Sequence, residues 1–296
     1  MRKTKYRILG VGLLAVALLA LAFCRDDRPT RAITIGAFNF PESAILSNIY
    51  GGALRDSGVA IKFRTNLGSR EVVGPALQDG DIDVYVGYAA TDLEFWNSNA
   101  GQATPDVAET VSRLNVVLQP NGLLALDPSP AVDQNGFAVT QATADRLRLS
   151  KLSDLAPLAS QLRLGGPPEC PTRPFCARGL EATYGIRFKS FQALDAGGPL
   201  TKKALADGDI DVALLFTSDA TGFVLLEDDG HLQNADAVVP LIRPDKVDDR
   251  ARAVMNDVSA KLTTESLSAL NQRFTATGGD TDVVAQTWLR QNGFAR

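Results

Sequence analysis

One histidine and three cysteines in 296 residues leave this chain short of the usual side-chain catalysts. His231 follows the acidic stretch Glu227-Asp228-Asp229-Gly230 and reads as a solvated loop residue rather than a base. Cys170 and Cys176 have no histidine nearby, so they do not make a zinc set. No nucleophile motif and no complete glycine-rich phosphate loop occurs. The Asp-Gly-Asp stretches lack the spacing of a calcium-binding EF-hand. After the first two dozen residues no apolar run reaches the roughly 20 residues needed to span a bilayer. Basic charge is also scarce, with 30 Lys and Arg against 34 Asp and Glu. A chain of that balance is a poor nucleic-acid ligand, and its partners are small molecules and other proteins.

The N-terminus is different. Arg2, Lys3, Lys5 and Arg7 precede an uncharged stretch from Ile8 to Ala22, the pattern of a secretory signal. Two processing sites compete. Ala20-Leu21-Ala22 fits cleavage after Ala22, whereas Leu21-Ala22-Phe23-Cys24 resembles a lipoprotein box with Phe23 out of pattern. Acylation of Cys24 would leave Cys170 and Cys176 as an even pair in an oxidising compartment, and we expect those two to be disulfide-bonded. Loss of residues 1–23 removes four basic and no acidic side chains, taking the formal net charge from −4 to −8.

The strongest signal is an internal repeat. Ala-Leu-Gln-Asp-Gly-Asp-Ile-Asp-Val-Tyr-Val-Gly-Tyr runs from Ala76 to Tyr88, and Ala-Leu-Ala-Asp-Gly-Asp-Ile-Asp-Val-Ala-Leu-Leu-Phe from Ala204 to Phe216. Each copy reads as a helix, a glycine stop and a buried strand. Around the first copy, strands over 32–36, 59–65 and 82–86 alternate with a helical pattern over 44–54, to which Pro41 and Glu42 would supply the first turn, and a helix from the Ser69 cap to the Gly80 stop. Around the second, strands over 162–165, 186–191 and 210–216 alternate with helices over 180–184 and 199–206. Both are β-α-β-α-β units. Asn135–Val139 and Val238–Ile242 read as extended segments crossing between them, and three helices follow from Asp248 to Gln291. The domain reading is therefore a signal over 1–24, a tether over 25–31, one lobe from 32–134 with 240–296, and a second lobe from 135–239.

Ligands of open α/β sheets sit beyond the carboxyl ends of strands. Tyr88 and Phe216 stand at those ends, one repeat apart, and would face each other across a cleft. Opposed rings suit a cation without hydrogen-bond donors, such as a quaternary ammonium. The loop from Gly165 to Cys176 would be stiffened by its disulfide, fixing Arg173 and Phe175 at the rim with Arg173 available for a carboxylate. Ser69-Arg70 and Gly197-Gly198-Pro199 open helices, whose free backbone N–H groups either receive a carboxylate or are simply capped, with Ser69 as one cap.

Asn39-Phe40-Pro41-Glu42-Ser43, Leu67-Gly68-Ser69-Arg70, both Asp-Gly-Asp-Ile-Asp-Val segments, Leu262-Thr263-Thr264-Glu265 and Leu270-Asn271 together resemble the substrate-binding subunits of osmoprotectant ABC importers. The resemblance spans residues 32–294. It implies an α/β, two-lobe type II periplasmic-binding-protein fold with a central ligand cleft, and a monomer that needs no cofactor. It implies a role outside the cytoplasm, capturing glycine betaine, choline or carnitine and docking on membrane permease subunits. Tyr88 and Phe216 match aromatic cage positions, Phe40 the residue bordering the pocket, and Thr91-Asp92 the polar pair after the third strand. The family's Asp-x-Tyr-Pro-Glu-Tyr-x-Gly-Thr is here Asp83 to Thr91, Asp-Val-Tyr-Val-Gly-Tyr-Ala-Ala-Thr, lacking the Glu and Gly. Arg70-Glu71 stands where some relatives have Tyr, so the cage is poorer in tyrosine. The expected ligand set is Phe40, Ser69, Arg70, Tyr88, Thr91, Arg173, Phe175 and Phe216. Alternatives are a carrier for another zwitterion and a ligand-sensing lipoprotein not coupled to transport.

Overall fold

The computed structural model describes residues 31–294; the signal segment and Cys24 lie outside the described residues. In chain order the elements are β1 (Ile33–Gly36), α1 (Pro41–Asp56), β2 (Ile61–Arg64), α2 (Arg70–Asp79), β3 (Val84–Tyr88), α3 (Ala89–Trp96), α4 (Val107–Leu118), β4 (Leu124–Ala125) and β5 (Asn135–Val139). There follow α5 (Gln141–Leu147), β6 (Arg163–Gly166), α6 (Ala177–Tyr184), β7 (Ser190–Ala193), α7 (Pro199–Asp207), β8 (Val212–Phe216), β9 (Val224–Leu225) and β10 (Val238–Ile242). The chain closes with α8 (Asp249–Lys261), α9 (Thr264–Ala276) and α10 (Thr281–Gln291).

These strands form two five-stranded sheets, ordered β2-β1-β3-β10-β4 and β7-β6-β8-β5-β9. Each has three parallel strands, then an antiparallel strand beside the repeat strand, then a short edge. The segments expected to cross between halves are therefore interior strands, each pairing antiparallel with the repeat strand of its sheet. Their continuous apolar runs explain this, since β10 is buried at every position. Val238 and Val239 belong to the first sheet with the rest of β10. The crossing itself is made just before them, where Val132 and Ala237 form an antiparallel bridge. The strand expected over 186–191 pairs only from Ser190; Ile186 is buried in the second core from a loop.

The repeat builds the same joint twice. Gly80 and Gly208 end their helices at φ 83° and 78°, the left-handed region that glycine occupies without a Cβ penalty. Ile82 and Ile210 are then buried against glycines of the neighbouring strand. A Cβ on Gly36 would stand 2.5 Å from Ile82 Cδ1, and one on Gly165 would stand 2.4 Å from Ile210 Cδ1. Asp83 and Asp211 next accept a backbone N–H from that strand, Thr34 N and Arg163 N, each at 2.8 Å. The joint sets the register that carries Tyr88 and Phe216 to the strand ends, opposite Val238 and Asn135, the first residues of β10 and β5.

The first core packs Ile35, Ile45, Leu46, Tyr50 and Val84 with Val258, Leu267 and Leu289 of the C-terminal helices, so the tail returns to the first sheet. The second core centres on Phe137, Leu164, Val212 and Leu214. Among the described residues no helix is long and apolar enough to cross a membrane.

Candidate functional site

A cavity of about 70 Å³ lies between the two halves at the carboxyl ends of the repeat strands. Phe40, Ser69, Arg70, Tyr88, Thr91, Arg173 and Phe216 all line it, as do Phe38, Asp133 and Asp236. Seven of the eight residues expected in the ligand set thus come together. Phe175 does not. Its carbonyl accepts hydrogen bonds from Asn135 Nδ2 at 3.1 Å and Gln233 Nε2 at 3.2 Å. Those bonds fix the loop so that Phe175 lines a neighbouring cavity with Glu71, Glu94 and Phe95. The Cys170–Cys176 disulfide is formed, and both cysteines form part of the site wall.

The aromatic wall is continuous. The Phe40 ring centroid is 5.1 Å from that of Phe216 and 6.3 Å from that of Tyr88, and Phe38 stacks on Phe40 at 5.6 Å. Phe40 comes from the turn after β1 and precedes Pro41, which opens α1 with its fixed φ. The Tyr88 hydroxyl donates to Glu42 Oε1 at 2.6 Å. Burial, then the charge of Glu42, pushes the phenol well above its ordinary range, so it stays a donor.

Arg70, at the first position of α2, is buried and lies 5.1 Å over the Phe38 ring. Its Nε donates to Asp92 Oδ1 at 2.6 Å, and Tyr85 Oη donates to the same oxygen at 2.8 Å. Among the described residues no acceptor meets its two Nη groups. Burial alone would weaken the cation's hold on its proton, but Asp92 and Tyr85 more than offset this, and the pKa is raised. Ser69 occupies the cap position of α2 without capping it; its hydroxyl donates to Glu71 Oε2 at 2.5 Å. At the second candidate anion site, Asp195 already fills the helix end, accepting from Leu200 N at 3.0 Å and Thr201 N at 2.8 Å.

Arg173 spans the mouth. Its Nη2 lies 2.8 Å from both carboxylate oxygens of Glu71 and 3.6 Å from Glu169. The guanidinium expected to wait for a ligand carboxylate is thus paired across the cleft. Burial opposes ionisation of Glu71, but the Ser69 hydroxyl and Arg173 outweigh it and lower its pKa.

Three buried carboxyls stand around the site, and sequence reasoning did not place them there. Glu42, in the first turn of α1, accepts from Tyr88, from Ser218 Oγ at 2.8 Å and from Asn271 Nδ2 at 2.5 Å. Asp133 Oδ1 accepts from Ser218 N at 2.8 Å and Thr217 Oγ1 at 3.1 Å. Asp236 accepts both Thr91 N and the Thr91 hydroxyl. Burial raises Glu42; burial and then the Glu42 charge raise Asp133 well above the carboxylate range. Burial pushes Asp236 to about 6. Asp133 and Asp236 flank the crossing bridge, so the signal in the sequence is an aspartate beside each crossing.

A family model described as the substrate binding domain of ABC-type glycine betaine transport system matches residues 31–291. The chain is 27% identical over 281 residues to the glycine betaine-binding protein YehZ of Escherichia coli strain K12, covering 89% of this chain and 92% of that one. It is 26% identical over 311 residues to the carnitine transport binding protein OpuCC of Listeria monocytogenes, covering 99% and 98%. Among solved structures, a glycine betaine/carnitine/choline ABC transporter protein matches with TM-score 0.68 at 24% identity, covering 88% of this chain and 99% of that one. Lactococcal OpuAC, closed on glycine betaine, matches with TM-score 0.62 at 13% identity, covering 88% and 96%. The fold is the two-lobe type II periplasmic-binding-protein fold. With the model matched over nearly the whole described length, this chain belongs to the family of substrate-binding domains of ABC-type glycine betaine transport systems.

Proposed function

We propose that the chain captures a small zwitterion of the glycine betaine class in this cavity and delivers it to ABC permease subunits. The methylated ammonium packs among Phe40, Tyr88 and Phe216, and the free Nη groups of Arg70 take the carboxylate. The observation that carries this reading is the pairing, in one cavity, of a three-ring wall drawn from both lobes with a buried guanidinium whose outward donors have no protein acceptor among the described residues. Two to three desolvated cation–π contacts at about 2 kcal/mol each, with charge-assisted hydrogen bonds at about 1.5–3 kcal/mol, give roughly 6–9 kcal/mol, or affinity on the order of micromolar.

The lobes on this reading follow the sheets, residues 32–134 with the chain after the Ala237 crossing forming one and the segment between forming the other. The chain acts as a binding protein rather than a catalyst, as a monomer without a nucleic-acid partner. It sits on the outer face of the membrane, held by lipid at Cys24. Calorimetric titration with glycine betaine, choline, carnitine and proline betaine tests the ligand. Saturable binding of the carboxylate-bearing betaines above choline is expected. Binding of choline alone would remove Arg70 from the role given to it. Intact mass of the mature chain tests acylation at Cys24.

A further inference from the structure

Among the described residues no cation pairs with Glu42 or Asp133, and the cations around the site are paired elsewhere. Arg70 is paired with Asp92, Arg173 with Glu71 and Glu169, and Lys202 with Asp219 at 2.7 Å. Asp219 borders the small cavity beside Glu42, and Asp236 is held by Thr91. Around the pair itself are Tyr88 from β3, Thr217 and Ser218 just past β8, and Asn271 from α9. All of these are neutral.

Ser218 brings the two carboxyls to one place, its N–H donating to Asp133 Oδ1 and its hydroxyl to Glu42 Oε2, each at 2.8 Å. Asp133 Oδ2 is buried and meets no protein donor. Both Glu42 oxygens are already filled by donors. Two ionised carboxylates on one residue in a buried site repel, and one proton between them removes the repulsion and satisfies the orphan oxygen. We infer that the closed cleft holds one proton shared by Glu42 and Asp133, and that Glu42 is thereby the positioning residue for the ring wall, fixing Tyr88 on one lobe and Ser218 on the other.

This rests on the cavity being the solute site. When the lobes part, the contact from Ser218 to Glu42 is lost and water reaches the carboxyls, which then ionise in their ordinary range. Closure therefore takes up a proton from solvent. The sign follows from linkage: as pH rises, the open form loses the proton first, so closing must recover it, and affinity falls with rising pH until the closed pair also ionises. Burial raises both carboxyls, in agreement with that direction. Asp236, at about 6, adds a dependence of its own at lower pH. The pair is read above pH about 7, where Asp236 is ionised in both forms.

Glycine betaine titrations of the mature chain in buffers of different ionisation enthalpy, between pH 7 and 9, measure the uptake. The wild type is expected to take up close to one proton per solute near neutral pH, with Kd rising up to about tenfold per pH unit. Glu42→Gln supplies a permanent N–H to Asp133 and is expected to bind with little uptake and a flat profile; Glu42→Ala is expected to weaken binding at every pH. A wild type that binds without uptake and with a flat profile overturns the inference while leaving the solute reading intact. A second measurement is the infrared difference spectrum between the glycine betaine-saturated and the ligand-free chain at neutral pH. A protonated carboxyl band that grows in on binding in the wild type and is missing in Glu42→Gln is expected. Binding without that band in the wild type also overturns the inference, whereas failure of glycine betaine to bind at all rejects the solute reading on which it rests.

Discussion

The two copies of Asp-Gly-Asp-Ile-Asp-Val make one joint and then diverge. Up to Val84 and Val212 the copies share a left-handed glycine, an isoleucine over a glycine and an aspartate bridging to the next strand. Beyond that point the first reads Tyr-Val-Gly-Tyr and the second Ala-Leu-Leu-Phe. The first lobe brings the charge, with Arg70, Asp92 and Glu42 tied to Tyr85 and Tyr88. The second brings an apolar ring, the hydroxyl of Ser218 and the stapled rim carrying Arg173. The fold dictates where the strands end, and the residues after that point are free to differ in chemistry. One lobe can orient a carboxylate while the other closes over the methyl groups.

The largest expected break of this asymmetry is Arg70→Ala. It leaves Asp92 buried without its cation, and uncompensated buried charges of this kind cost about 3–5 kcal/mol. Chemical denaturation should show that loss, and calorimetry should show betaine binding reduced by at least about a hundredfold. The shared joint is tested by the opposite pattern. Ile82→Ala and Ile210→Ala should each destabilise by about 2–5 kcal/mol, with similar values in the two lobes. A cost in one lobe only would mean that the copies are alike in sequence and not in structural role.

Most of the fold was legible because its signals are local. The glycine stops and the apolar strands lie within a few residues of the elements they define. Tyr88 and Phe216 were legible because the repeat fixed their register. Glu42, Asp133 and Asp236 were not, since separate parts of the chain bring them to one place and nothing in their neighbours announces burial. Phe175 was misplaced because the bonds from Asn135 and Gln233 to its carbonyl set the loop's direction. Ser69 and Gly198 sit at helix starts as expected, yet Glu71 takes the hydroxyl of one and Asp195 fills the end of the other.

Smaller tests sharpen the same contrast. Asp236, at the crossing, has its carboxyl raised from 3.8 to about 6 by burial. The unfolded chain loses that proton first, so folding stability is fully present below about 4 and declines by up to about 3 kcal/mol as pH rises to about 6. Asp236→Asn should remove that portion of the pH profile in thermal unfolding. The smallest effect belongs to the cross-cleft pair of Arg173 and Glu71. It is partly solvated, so Glu71→Gln should cost under about 1 kcal/mol of closure and matter less as salt is raised.

The ring wall is tested most directly by titrating glycine betaine into the mature wild type, Tyr88→Ala and Phe216→Ala. Affinity on the order of micromolar is expected for the wild type, with each variant at least about tenfold weaker. Equal affinity in all three would contradict the account, because a solute indifferent to rings on both lobes is not held between them.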